Sequence, residues 1–76
     1  MSEYWKLETR SFAFYTENQK IMQSIKRSYS DRIRIMAEYY KDGKIIGKQY
    51  RFGNAELRRI RRYIASERDQ NKELRN

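Results

Sequence analysis

The chain has 76 residues, with 18 Lys and Arg against 10 Asp and Glu, a formal net charge of +8 and a pI near 10.0. That length leaves room for one domain, residues 1–76, with a thin core, since a chain this short buries only about 60% of the surface its unfolded form exposes. Neither Cys nor His occurs, which removes disulfides, thiolate nucleophiles, imidazole bases and the usual zinc ligand sets.

Seven Tyr, three Phe and one Trp favour a packed core over disorder, although 37% of the residues are charged. No apolar run approaches the roughly 18 residues needed to cross a bilayer, and Met1 to Ser11 lacks the apolar centre of a signal peptide. A soluble, cytoplasmic protein is therefore expected. The charge favours phosphate backbones or acidic surfaces as partners, but a magnitude of about 8 is also within reach of an ordinary soluble surface. Placement of the charge must decide.

In chain order, Tyr4 to Tyr15 is aromatic-rich, with Trp5 and Leu7 on one parity and Phe12 and Phe14 on the other. The change of parity predicts a bulge or two short strands. Thr16 offers an N-cap for a helix of about three turns in which Ile21, Met22, Ile25 and Tyr29 recur at helical spacing. Lys26 and Arg27 close that helix, where the helix dipole favours cations.

From Asp31 the period changes to two, and Asp42-Gly43 supplies the two-residue signal of a type I′ hairpin. The return strand runs from Lys44 to Phe52, and Asn54 offers an N-cap for a last helix from about Ala55 to Glu67. Residues 68–76 are polar apart from Leu74, which predicts a frayed tail. The expected fold is a small α+β domain of approximate order β-α-β-β-α, with helices on one face of an antiparallel sheet.

A two-residue Asp42-Gly43 loop sets Lys41 against Lys44, Tyr40 against Ile45, Tyr39 against Ile46, Ala37 against Lys48, Ile35 against Tyr50 and Ile33 against Phe52. The predicted core is Ile33, Ile35, Ile46, Tyr50, Phe52, Leu57, Ile60 and Ile64, with Lys48 as a misfit among them. The other face then carries Tyr40 with Ile45, Glu38 with Gly47, Met36 with Gln49, and Arg34 directly opposite Arg51, with Arg32 just beyond. Like charges placed opposite each other cost several tenths of a kcal/mol, a cost that a shared anion would remove.

The last helix places Leu57, Ile60 and Ile64 on one stripe and Arg58, Arg59 and Arg62 on the far side. A solvated helix back is sufficient to explain those arginines, although Glu56 is the only acid near them. The scattered acids form no paired motif and no Gly-rich phosphate loop occurs, so neither an enzyme nor a cofactor or metal is expected.

Nucleic acid, DNA above RNA, is the expected partner. Arg32, Arg34, Arg51, Gln49 and Tyr40 would form a basic sheet face, and Arg58, Arg59 and Arg62 would add phosphate contacts. In element order alone, Ile33 to Ile64 resembles the small sheet-reading DNA-binding domains of integrase arm-binding type. No motif is shared, so no residue's role follows from the likeness. The alternative is a small accessory or inhibitor protein that binds an acidic surface of a larger protein, with or without forming a homodimer. It would use an apolar patch of Tyr40, Ile45 and Met36. Membrane-surface binding is disfavoured because the basic helix needs its apolar stripe for the core.

Overall fold

The structure, a computed structural model, describes residues 1–28 and 32–74, with side chains described as far as Asp69. Tyr29 and Asp31 lie outside the described residues, as does the end of the tail. Among the described residues the strands and α-helices follow in the order β1 Ser2–Glu8, β2 Ser11–Thr16, α1 Gln19–Arg27, β3 Ile33–Lys41, β4 Lys44–Gly53 and α2 Leu57–Leu74. The architecture is a small α+β domain with an antiparallel four-stranded sheet of order β1-β2-β4-β3.

The parity change near the N-terminus resolves into two strands. Trp5 pairs with Ala13, Tyr4 with Phe14 and Lys6 with Phe12, and β2 then inserts between β1 and β4. Chain order alone could not reveal that insertion, because β2 reaches β4 only after α1 has crossed over the sheet. As one of the two inner strands, β2 buries Phe12, Ala13, Phe14 and Thr16.

The cap of α1 is Asn18, whose side chain accepts from the amides of Lys20 at 2.9 Å and Ile21 at 3.3 Å. Thr16, the expected cap, is instead the buried end of β2, and its hydroxyl accepts from the Asn18 amide at 3.0 Å. At the other helix, Asn54 begins a short 3-10 turn, Asn54–Glu56, with no side-chain cap. The α2 helix continues to Leu74, beyond the Glu67 end that its apolar stripe suggests.

One core joins both helices to one sheet face: Phe12, Phe14, Ile21, Ile25, Ile33, Tyr50, Phe52 and Ile60. Register makes two of its aromatic contacts, since Phe12 faces Phe52 and Phe14 faces Tyr50. Their rings stack at centroid distances of 5.5 and 6.2 Å. Burial pushes the Tyr50 hydroxyl up to about 12, so it stays protonated.

The hairpin turn forms as its sequence requires, with positive φ at Asp42 (52°) and Gly43 (78°). Lys41–Lys44, Tyr40–Ile45, Ile35–Tyr50, Arg34–Arg51 and Ile33–Phe52 pair as expected. Between them two bulges intervene. Met36 is an extra residue on β3 and Ile46 an extra residue on β4, so the middle of the ladder pairs Ala37 with Gln49, Glu38 with Lys48 and Tyr39 with Gly47. The expected pairs Ala37–Lys48, Tyr39–Ile46, Glu38–Gly47 and Met36–Gln49 therefore do not form.

The bulges and the edge position of β3 correct the expected core. Ile35 stands opposite Tyr50 but is 54% exposed, and Ile46 is 41% exposed. The helices bury the inner side of β2 and β4, and β3 beyond Ile33 lies outside their cover. Leu57 and Ile64 pack partly buried against the core.

Candidate nucleic-acid interface

With the helices on one side, the other side of the sheet is open. Alternation assigns its residues: Tyr4 packs against the core, so its neighbour Trp5 faces outward, as do Arg51 between buried Tyr50 and Phe52, and Arg34 beside buried Ile33. Register then aligns one row across all four strands, Trp5–Ala13–Arg51–Arg34. Ala13 is fully buried, a small floor between the indole and the guanidinium.

At one end of this face, Arg10, Ser11, Arg32, Arg34, Arg51, Phe52 and Gly53 line an open groove of about 330 Å³. Arg10 comes from the turn between β1 and β2 and escaped sequence reasoning, because its approach to the β3–β4 arginines depends on β2 pairing with β4. The Arg51 Nε donates to Ser11 Oγ at 2.8 Å, and its Nη2 lies 3.9 Å from the Glu8 carboxylate. Arg32 Nη1 lies 3.8 Å from Glu56. Ion pairs this long, with one or both partners exposed, contribute little to stability.

Farther along the same face, Tyr15 and Tyr39 meet edge to face at 5.7 Å across Gly47. A Cβ on Gly47 would lie 2.5 Å from the Tyr15 hydroxyl, so glycine is what lets this ring lie down on the strand. Tyr39 Oη donates to Gln49 Oε1 at 3.2 Å, and Gln49 Nε2 approaches Met36 Sδ at 3.7 Å. Partial desolvation, reinforced by the Glu17 carboxylate that accepts its hydroxyl proton, raises the Tyr15 pKa above its ordinary value.

Of the residues the sequence singled out, Arg32, Arg34, Arg51 and Gln49 share this face. Tyr40 does not. The Met36 bulge shifts the alternation of β3 and puts it on the helix side with Glu38, to which its hydroxyl donates at 3.3 Å; Glu38 also raises its pKa. Ile45 turns toward α1, where its carbonyl accepts from Gln19 Nε2 at 3.2 Å. The expected patch of Tyr40, Ile45 and Met36 is thereby divided between two faces.

The helix arginines are also separate. Ile60 is buried against the inner sheet face, so Arg58 and Arg62, about half a turn away, point from the helix layer into solvent. Arg59 is engaged locally. It donates to Tyr63 Oη at 2.8 Å, sits 5.5 Å from that ring's centroid and lies 3.9 Å from Glu56. Sequence reasoning missed Trp5 and Tyr39 as outer-face aromatics; a glycine inside a strand, Gly47, was the available signal of a local irregularity.

No family model, no curated protein and no solved structure matches the chain. The functional reading therefore rests on the geometry of this face. Among the described residues, no helix is long and apolar enough to cross a membrane, and no group of acids could hold a metal ion.

Proposed function

We propose that this protein binds nucleic acid through the outer face of its sheet. The observation that carries the reading is the convergence of Arg10, Arg32, Arg34 and Arg51 on one open groove, from three segments distant in sequence: the β1–β2 turn, the start of β3 and the end of β4. Guanidinium groups present paired donors that suit phosphate oxygens or the edge of guanine. Glu56 lies within ion-pair distance of Arg32, and Glu8 of Arg51. The amide of Gln49 and the rings of Trp5, Tyr15 and Tyr39 on the same face suit base edges and base faces.

The runner-up, an accessory protein that docks on an acidic partner, is favoured by a different observation. Ile35, Tyr40 and Ile46 are 54%, 59% and 41% exposed near the uncovered β3 edge. Titration of the protein with matched single-stranded and duplex DNA and RNA at two salt concentrations tests the main reading. Binding that weakens with salt supports it; absence of binding to all four at low salt overturns it and leaves the protein-partner reading.

A further inference from the structure

The shape of the outer face discriminates between nucleic-acid forms. Four strands side by side span three inter-strand spacings, about 14 Å before side chains, whereas the DNA major groove is about 12 Å wide. A face of that width does not enter the groove. The two-stranded end of the β3–β4 hairpin is narrow enough, but Arg34 and Arg51 lie at the opposite end of the ladder from the Asp42-Gly43 turn. Arg34 precedes Lys41 by seven positions, about 23 Å along the strand. The part that fits a duplex groove is therefore not the part that carries the arginines.

The same face suits an unpaired strand. Trp5 is 38% exposed and occupies the arginine row, two strand spacings or about 10 Å from Arg51, with the covered Ala13 between them. Tyr39 is 42% exposed and stands on the same strand as Arg34, about 16 Å along it, held upright by Tyr15 and Gln49. Aromatic rings flank the guanidinium pair in two directions. Every base has a π face, and stacking on such rings tolerates any sequence.

Resting on the nucleic-acid reading above, we infer that the outer sheet face is a platform for single-stranded nucleic acid, whose bases stack on Trp5 and Tyr39 while the intervening phosphates meet Arg34 and Arg51. Duplex has its bases already stacked and offers this face only its phosphate ridge.

Trp5 is the only tryptophan, so its fluorescence reports on a stacked base directly. The experiment titrates the full chain with a short oligothymidylate, the equivalent oligouridylate and a duplex of equal length, following Trp5 emission and the anisotropy of labelled strands. Quenching by the single strands and at least tenfold tighter binding than to duplex are expected. Tyr39→Ser should weaken single-strand binding about tenfold, and Trp5→Ala, followed by anisotropy, should do likewise, with folding checked by circular dichroism. Equal or tighter duplex binding without quenching, or single-strand affinity unchanged in both folded variants, overturns the platform while the nucleic-acid reading stands. No binding to any strand at low salt overturns both.

Discussion

Glu38 and Lys48 face each other on the helix side of the β3–β4 ladder, with carboxylate and ammonium 3.6 Å apart. An unbroken hairpin would have separated them and left Lys48 facing Ala37. The bulges at Met36 and Ile46 shift the intervening pairs by one residue and bring an acid to a lysine that is only 16% exposed. Glu38→Ala should therefore cost about 1 kcal/mol in urea unfolding, a discounted figure because Glu38 is itself partly in water. Lys48→Met should recover most of that loss, since it removes the charge left alone.

Phe14 and Ile35 separate the observed core from the one periodicity suggests. Phe14 is fully buried beneath Tyr50, so Phe14→Ala should cost about 3–5 kcal/mol. Ile35→Ala, at an exposed edge position, should cost less than about 1.5 kcal/mol. Chemical denaturation of the two variants checks the difference, and equal losses would mean that the helices cover β3 as well.

Gly47 and Tyr15 are coupled by contact. Gly47→Ala should cost about 1 kcal/mol, because the Tyr15 ring must lift from the strand and leave Tyr39. In a Tyr15→Ala background the same substitution should cost almost nothing, and a double-mutant cycle measures that coupling.

Glu67 ties α2 to the start of the sheet. Its carboxylate accepts from Ser2 Oγ at 2.7 Å and Asn18 Nδ2 at 3.2 Å, and lies 3.6 Å from the N-terminal ammonium. Burial raises its pKa, but those two hydrogen bonds and the ammonium outweigh it, and the net pKa lies below the ordinary glutamate value. A depressed pKa contributes stability that is present above the unfolded value and is lost as pH falls through the folded one. Unfolding measured from neutral to acid pH should therefore show a loss that Glu67→Gln reduces, with the variant less stable at neutral pH.

Arg34 and Arg51 should dominate the salt dependence of binding. If both meet phosphate, Arg34→Ala with Arg51→Ala should lower the magnitude of the salt slope by up to about 1.4 on single strands or 1.8 on duplex. Arg58→Ala with Arg62→Ala should change it little, because those side chains leave the opposite side of the molecule. A larger effect from the helix pair would move the interface to α2.

Local chemistry alone determined the elements that depend on near neighbours. The Asp42-Gly43 turn was legible because positive φ at two adjacent positions has few sequence solutions, and the Arg34–Arg51 pairing counted outward from it holds because the two bulges between cancel. The apolar stripes of Ile21, Met22, Ile25 and Ile60 were legible for the same reason, since a helical period is written in consecutive residues. Tertiary structure decided what depends on distant partners. The insertion of β2 beside β4 brought Arg10, Ser11 and Trp5 to the arginine face, and the paired bulges exchanged the sides of Tyr39 and Tyr40 while leaving the ends of the hairpin in register. Two compensating one-residue shifts leave no trace in either strand's end pairing; they satisfy Lys48 with Glu38 and seat Tyr15 over Gly47. Those contacts are made across the sheet, so they become visible only once it is assembled.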